Sequence, residues 1–299
     1  MTECERIVKE KILPESFFEP EERNGFFVDA NRKKTWAILI DLLVRFDRFC
    51  NDNHLNYFLI FGSLLGAVRH KGFIPWDDDV DIVMPRDDYN KFPSLAGKID
   101  RPYCIQSYLN ESDFFLSFAK FRNVNTTCIS KPFSHRKFNQ GIALDIFPLD
   151  NFENQGAQER FDRIKWLNMQ NSTYMRMGNP YLDASSQERI KQHSGRAPLD
   201  VLQEIESLVT QFNNKETDKV GVNALTIYSF EKNTWLKRDF DSFDLMEFEC
   251  CRFRVPCGFE DVLTTTYGDY MQFPPVEKRG GWHNNLIIDP DTPFCEHKI

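Results

Sequence analysis

Hydrophobic residues recur at helical spacing in some parts of the chain and form short runs in others. The helical spacing is strongest over residues 35–51, and it also predicts helices at 88–95, 155–171, 198–212 and 259–271. Apolar or alternating runs predict strands at 55–61, 79–84, 103–107, 114–123, 127–130, 141–148, 220–228 and 247–255. This order of elements predicts an α+β fold, in which a mixed sheet core is flanked by helices and the C-terminal part is helical.

The same pattern divides the chain into three predicted parts. Residues 1–31 are polar and contain two prolines, so we expect a loosely packed N-terminal arm. Residues 32–154 hold most of the predicted strands and should form the core. Residues 155–299 should form a helical cap and a C-terminal substrate-binding part packed on that core, with a linker at 175–194 and an extended tail.

Four aspartates stand within five positions, at Asp77, Asp78, Asp79 and Asp81, between apolar residues. Residues two apart on a strand project from one face, so Asp79 and Asp81 should point together, and Asp77 shares their parity if the strand begins early. Asp78 has the opposite parity and should be structural. Crowded carboxylates repel one another and lose hydration, and a divalent cation relieves both costs. Asp77, Asp79 and Asp81 are therefore candidate ligands of Mg²⁺ (or Mn²⁺), which suits a phosphate-bearing substrate.

A short apolar strand and a Gly62–Ser63 turn into a helix precede these acids. Such a turn offers backbone N–H groups and a hydroxyl, so Gly62 and Ser63 are candidates to bind a donor phosphate, with a plain N-cap as the alternative for Ser63. An acid pair alone is also typical of a solvated loop. However, strand, Gly-Ser, helix and acid-x-acid strand together resemble the nucleotidyltransferase superfamily, which adds a third acid on a later strand. Asp145, alone in an apolar run, is that candidate, either as a metal ligand or as the base that accepts the acceptor's hydroxyl proton.

Longer motifs extend the resemblance from about residue 55 to residue 283. They lie at 62–66, 69, 74–82, 86–89, 120–123, 126–127, 144–150, 267–271 and 274–275. In these motifs the chain resembles the LicD family, which also includes fukutin and fukutin-related protein. The resemblance implies a nucleotidyltransferase-like fold and an enzyme that transfers a phospho-alcohol from a CDP-activated donor to a sugar hydroxyl, with release of CMP.

The family is best known for transferring phosphocholine from CDP-choline to a bacterial surface glycan such as lipopolysaccharide, teichoic acid or capsule, and we expect that activity here. CDP-ribitol, CDP-glycerol and CDP-ethanolamine stay open as donors. A true nucleotidyltransferase that consumes an NTP is the alternative reaction. A non-catalytic binding protein is disfavoured, because decay of an active site usually removes acids and Asp79, Asp81 and Asp145 are all present.

Basic and aromatic residues inside these motifs are candidates for donor binding. Arg69, Lys120 and Arg122 are candidate phosphate clamps, with a solvated basic face as the alternative. A quaternary ammonium needs an aromatic box or an acid, and Trp76 is the first candidate for it, with a core position as the alternative. His283 is a candidate substrate contact. Other aromatic candidates are Tyr89, Tyr267 and Trp282.

Composition excludes some classes of protein. The chain has 45 acidic and 37 basic residues and a net charge of −8, which argues against a nucleic-acid groove, so any nucleotide should be a small ligand. The N-terminus has no signal-peptide pattern and no apolar run approaches the length of a transmembrane helix. We therefore expect a cytoplasmic protein, with peripheral association with lipid-linked glycan precursors left open.

The eight cysteines contain no Cys-x-x-Cys pair, and without a secretion signal they should be reduced. A zinc site is the alternative for a late group of residues, although their spacing is irregular. That group is Cys250, Cys251, Cys257, His283, Cys295 and His297.

Overall fold

The computed structural model describes residues 1–153, 156–193, 196–223, 228–280, 283 and 285–297, with the side chains of 189–193 left out. Its helices are α1 (Glu3–Lys9), α2 (Ala30–Asp52), α3 (Phe61–Leu65), α4 (Arg86–Lys91), α5 (Ala157–Met175), α6 (Ala184–His193), α7 (Pro198–Val209) and α8 (Phe259–Tyr267). Its first strands are β1 (Glu21–Arg23), β2 (Phe26–Val28), β3 (Phe58–Leu59), β4 (Asp81–Pro85), β5 (Tyr103–Gln106), β6 (Ala119–Asn123) and β7 (Thr127–Ser130). The others are β8 (Ala143–Phe152), β9 (Lys219–Gly221), β10 (Thr234–Leu236), β11 (Phe243–Phe248), β12 (Cys251–Pro256) and β13 (Asn285–Asp289).

A seven-stranded mixed sheet forms the centre of the protein and confirms the predicted α+β, nucleotidyltransferase-like fold. Its main path is β10-β9-β8-β4-β3, and β6 joins β8 to β5. Strands β4 and β8 run parallel, while the other pairs of this sheet are antiparallel. The long strand β8 therefore has β4 on one edge, and β6 followed by β9 on the other.

Helix α2 covers this sheet, as its apolar spacing predicts. Trp36, Leu39, Leu43 and Phe46 are buried in the main core. The Asp29 side chain caps the helix by accepting the N–H of Arg32 at 2.8 Å. The helix thus supplies both a hydrophobic layer and, near its start, polar groups that reach the acidic segment.

A buried ion pair links helix α4 and strand β8, and its arginine also reaches helix α7. The Arg86 guanidinium, on α4, donates to both carboxylate oxygens of Asp150 at 2.7 and 2.8 Å, and also to Glu206 at 3.0 Å. Asn213 donates to Asp150 Oδ1 at 2.8 Å. Asp150 is 0 % exposed, so its charge depends on these partners.

Replacing Asp150 by asparagine is expected to lower the free energy of unfolding by about 3 kcal/mol, because the buried Arg86 loses its charged partner. Urea denaturation measures this change. Glu204, on helix α7, pairs with Arg163 and Arg196 at the surface. Glu204→Gln is therefore the matched control and should lower the free energy of unfolding by less than about 1 kcal/mol. Equal effects of the two substitutions would contradict a stabilising role of the buried Arg86–Asp150 pair.

The N-terminal arm is not loosely packed, and this prediction was wrong. Helix α1 docks on α2, where Arg6 contacts the buried Asp41 at 2.6 Å. Buried apolar residues of the segment belong to the main core: Ile7, Leu13, Phe17 and Val28. The elements of this segment are too short to show a periodic hydrophobic pattern, and their apolar residues are buried against distant parts of the chain. The sequence pattern therefore did not predict the packing of the arm. The domain boundaries at 31 and 154 stay predictions.

Several other elements differ from the predicted ones. The predicted linker at 175–194 contains helix α6. The segment predicted as one strand at 247–255 spans the end of β11, the turn and most of β12 of one hairpin. Strands β9 and β10 extend the central sheet and β13 pairs with β7, so the part after residue 155 is not purely helical. Helix α8 ends at Tyr267, because Gly268 has φ +73 and leaves the helical region. Residue 155 and the segment 224–227, parts of a predicted helix and strand, lie outside the described residues.

Among the residues that the structure describes, no helix combines the length and the apolar character that crossing a bilayer requires.

Candidate active site

Two neighbouring parallel strands bring two of the predicted acids side by side. Asp81, the first residue of β4, lies opposite Asp145 of β8 in the strand register. The same register places Lys120 of β6 on the other side of Asp145. In a sheet, residues directly opposite on adjacent strands project from the same face. Asp81, Lys120 and Asp145 therefore share one face at one end of the sheet.

Asp77 and Asp79 reach this place from the loop before β4, and not from a strand as predicted. The strand begins only at Asp81, because Asp77 is held in a turn by its own N–H, which donates to the Ile74 carbonyl at 2.9 Å. Its carbonyl accepts from Trp36 Nε1 at 3.0 Å and from Arg32 at 2.9 Å. Asp77 also shares a side-chain hydrogen bond with Asp79. The loop is thus anchored on α2, and this anchor brings its carboxylates to the sheet edge.

The Gly-Ser turn supports the acids directly. The Ser63 hydroxyl is nearly buried and accepts the N–H of Asp81 at 2.8 Å, so Ser63 positions Asp81, and its contact with a donor phosphate stays a prediction. A Cβ at Gly62 would lie 2.7 Å from a carboxylate oxygen of Asp77, so only glycine allows this approach. Phe61, just before, has φ +49, a strained value for a residue with a bulky side chain.

Burial and mutual repulsion raise the pKa of three of these carboxyl groups. The pKa of Asp81 lies well above its ordinary value, first because of burial and then because of the charges of Asp79, Asp145 and Asp77. The pKa of Asp77 is also raised well above that value, by burial and by Asp79. Burial raises the pKa of Asp79 as well, and the positive charge of His283 opposes this rise. The site therefore holds more negative charge than it can stabilise alone.

Two cationic side chains offset part of this charge. His283 Nδ1 lies 2.7 Å from Asp78, and its Nε2 lies 3.4 Å from Asp79. The hydrogen bond to Asp78 is the main cause that raises the pKa of His283 to about 10, with the charge of Asp79 also contributing. Lys120 forms an ion pair with Asp145. His283 thus contacts the acids themselves, with Asp78 as its main partner, and its substrate contact stays a prediction.

The donor set fits a hard divalent cation. Asp77, Asp79, Asp81 and Asp145 offer carboxylate oxygens, which suit Mg²⁺ or Mn²⁺, and an added cation would relieve the repulsion that raises their pKa values. Ligand atoms of Asp78, Asp79 and His283 also lie within 4.8 Å of one another. The Asp79 and Asp145 side chains are 26 % and 20 % exposed, so solvent and a ligand can reach the cluster.

Two predicted donor-binding residues, Arg122 and Arg69, have partners within the protein. Arg122 is buried and donates to the Gln106 side chain and the Gly141 carbonyl, so the prediction of a phosphate clamp is wrong for it. Arg69 donates to the carbonyls of Tyr270 and Gln272 and stacks on the Phe273 ring, which ties it to the chain after α8.

Trp76 belongs to an aromatic cluster beside the acidic loop. It is 5 % exposed, and the Arg279 guanidinium lies 5.1 Å from its ring centroid. A ring already covered by a cation is poorly placed to bind a quaternary ammonium, so the predicted box residue is a core residue. Tyr89 is likewise buried, with Arg86 over its ring, and Trp282 lies outside the described residues.

Some residues of the site have no local signal in the sequence. Tyr228 lies near the acids with its hydroxyl 3.1 Å from that of Tyr267, and only the second belongs to a motif that the sequence analysis singled out. Arg32 and Trp36 hold the Asp77 carbonyl from a helix more than forty residues earlier. Helical spacing explains why Trp36 is buried, but it does not indicate the acceptor of its N–H.

The late cysteines and histidines do not assemble as a zinc site in the part of the chain that the structure describes. The group of potential ligands found there consists of Asp78, Asp79 and His283, without any cysteine. The eight cysteines, all of them described, are free thiols. The zinc alternative is therefore not supported by the geometry.

Comparisons with known proteins agree with this geometry. Residues 54–175 match the family described as LicD/FKTN/FKRP, nucleotidyltransferase domain, and this stretch contains the four acids at the sheet edge. The chain is 25 % identical over 265 residues to the lipopolysaccharide cholinephosphotransferase LicD of Haemophilus influenzae, covering 82 % of this chain and 93 % of that protein. It is also 28 % identical over 101 residues to an uncharacterized protein of Rickettsia prowazekii, covering 33 % of this chain and 34 % of that protein. By these matches, residues 54–175 are a nucleotidyltransferase domain of the LicD/FKTN/FKRP family.

Proposed function

We propose that the protein transfers phosphocholine from CDP-choline to a hydroxyl of a surface glycan such as lipopolysaccharide, and releases CMP. The observation that carries the proposal is the meeting of Asp81 and Asp145 on adjacent parallel strands, with Asp77 and Asp79 beside them. Similarity to a lipopolysaccharide cholinephosphotransferase over most of both chains supports the choice of phospho-alcohol and acceptor.

We assign Asp79 and Asp81 as the main metal ligands, with Asp77 and Asp145 as further ones. When bound, Mg²⁺ would neutralise the diphosphate and stabilise the negative charge of the departing CMP. The acids alone would repel an anionic donor, so a cation is needed before a diphosphate can approach this edge of the sheet. Lys120 and His283 supply positive charge at the same edge.

The chain's own residues would orient the acceptor and move one proton. The acceptor hydroxyl oxygen attacks the phosphorus that carries choline, and the bond from this phosphorus to the bridging oxygen breaks. The electron pair of that bond leaves with CMP, and Asp145 accepts the hydroxyl proton. Lys120, paired with Asp145, fixes the direction in which this carboxylate points. A ligand role for Asp145 is the alternative, and its asparagine variant separates the two roles.

The direct test is incubation of the purified protein with CDP-choline, MgCl₂ and lipopolysaccharide that lacks phosphocholine. We expect stoichiometric CMP and phosphocholine on the glycan, both lost with EDTA. Parallel reactions with CDP-ethanolamine, CDP-glycerol and CDP-ribitol determine the donor alcohol. Pyrophosphate released from CTP, without turnover of any CDP-alcohol, would contradict the proposal and favour a nucleotidyltransferase.

Metal binding should depend on pH in a defined direction. The pKa values of Asp77, Asp79 and Asp81 are raised in the folded, metal-free protein, so it keeps protons that the unfolded chain releases above about pH 4. These three groups therefore lower the free energy of unfolding as the pH rises above that value. The stabilisation from the raised pKa of His283 is lost only as the pH rises through about 10. Mg²⁺ competes with the protons on the carboxyl groups, so it should stabilise the protein more at pH 8 than at pH 5.5.

At saturating Mg²⁺ and pH 8 we expect the melting temperature to rise by about 5 °C, and by clearly less at pH 5.5. Differential scanning fluorimetry measures both shifts. NaCl at matched ionic strength is the control and should reproduce neither. An identical rise at both pH values would contradict metal binding by these carboxylates.

A further inference from the structure

Two tyrosine hydroxyls meet beside the acidic cluster. Tyr267 is the last residue of α8, and its hydroxyl lies 3.1 Å from that of Tyr228. The Tyr228 ring stacks on Phe61, with centroids 5.2 Å apart and an angle of 16° between the planes. Phe61 directly precedes Gly62, where an added Cβ would lie only 2.7 Å from the Asp77 carboxylate. The pair is therefore coupled through one stacked ring to the turn that supports the acids.

The pair has one donor hydrogen to spare. Two phenol hydroxyls carry two hydrogens, and the single hydrogen bond between them uses only one. Within the described ranges, neither hydroxyl has another hydrogen-bond partner. Both side chains are partly buried, where an unused donor is costly. A ligand that supplies an acceptor oxygen would complete the pair.

The surroundings indicate what kind of acceptor this is. Burial raises the pKa of both phenols, and the charges of Asp81 and Asp77 raise it further, so both hydroxyls stay protonated and can donate. The Arg69 guanidinium donates to the Tyr270 carbonyl at 2.7 Å, three residues after Tyr267, so a cation lies just beyond the end of α8. A neutral donor beside a metal-binding cluster suits a phosphoryl oxygen.

We propose that the Tyr228–Tyr267 hydroxyl pair donates a hydrogen bond to a nonbridging oxygen of the phosphoryl group that is transferred. The proposal rests on the function proposed above. Negative charge on those oxygens must be stabilised while the bond to CMP breaks, and a preorganised donor does so without reorganising at that moment. The strained φ of Phe61 and the end of α8 at Gly268 hold the two rings in place.

Phenylalanine variants test the hydroxyls without removing the rings. We expect kcat with CDP-choline to fall by about 100-fold in Tyr228→Phe or in Tyr267→Phe, whichever hydroxyl faces the phosphoryl group. The double variant should be no worse than the more damaged single variant, because the pair acts as one unit. The KM for the donor should stay within about twofold and the melting temperature within about 2 °C, since the donor acts in the transition state.

Tyr181→Phe, which changes a 47 % exposed tyrosine elsewhere, is the matched control and should keep full activity. If the wild-type protein turns over and Asp81→Asn does not, the proposed function holds. Wild-type kcat in both tyrosine variants would then overturn the tyrosine proposal alone. Losses that appear only as a lower melting temperature would also overturn it, because they would show a structural role. No turnover of any CDP-alcohol by the wild-type protein would overturn this proposal together with the proposed function.

Discussion

Replacing Asp81 by asparagine is expected to lower kcat at least about 1,000-fold while the protein stays folded. The substitution keeps the shape of the side chain and the backbone N–H that donates to Ser63, but it removes a charge at the centre of the cluster. A loss of this size corresponds to about 4 kcal/mol of transition-state stabilisation, within the range of a metal-site defect. Steady-state CMP release measures it, and Asp79→Asn should behave in the same way.

The control for this experiment lies six residues further along the chain. Asp87 is an exposed aspartate in the first turn of α4, outside the cluster, and Asp87→Asn should keep wild-type turnover. Because removing a charge from Asp81 relieves repulsion, its variant should melt at the same or a higher temperature without metal. Retained turnover in either Asp79→Asn or Asp81→Asn would refute the ligand role of that residue.

Replacing Asp145 by asparagine should separate the two roles left open for it. If Asp145 accepts the acceptor's proton, kcat falls by about 10²- to 10⁴-fold, while the KM for CDP-choline and the Mg²⁺ requirement stay within about threefold. Asparagine keeps a partner for Lys120, so the geometry of the pair should be maintained. Initial rates over a grid of donor and Mg²⁺ concentrations measure all three quantities.

A different pattern would assign Asp145 to the metal. In that case the Mg²⁺ requirement rises together with the KM for the donor, and excess Mg²⁺ restores part of the rate. Asp244→Asn, an exposed aspartate on β11, is the control for the loss of one acidic charge and should leave every parameter unchanged. Wild-type kcat in Asp145→Asn would contradict both roles.

The central sheet and its acids could be predicted because local patterns determine them. Asp81 and Asp145 each interrupt an apolar run at the start of a strand, and their neighbours in sequence are buried in the core. Strand parity then requires both carboxylates on one face. The parallel register that puts them directly opposite each other is a tertiary property and follows from the fold.

The incorrect predictions share a physical cause, which is that a side chain's partner comes from a distant segment. Lys120 and Arg122 stand two residues apart on β6 and share a face, but only Lys120 lies beside an acid, because Arg122 donates to Gln106 and Gly141. Asp79 lies in a loop because Trp36 and its neighbours hold that segment on helix α2. Periodicity along one element carries no information about such contacts.

The most direct test of the account is a crystal structure with Mn²⁺ and CDP-choline, in which anomalous scattering locates the metal. We expect a Mn²⁺ peak about 2.1 Å from carboxylate oxygens of both Asp79 and Asp81, in contact with the diphosphate and within reach of Asp145. Acids that stay bound only to His283 and Lys120, with the metal and nucleotide elsewhere on the protein, would contradict it.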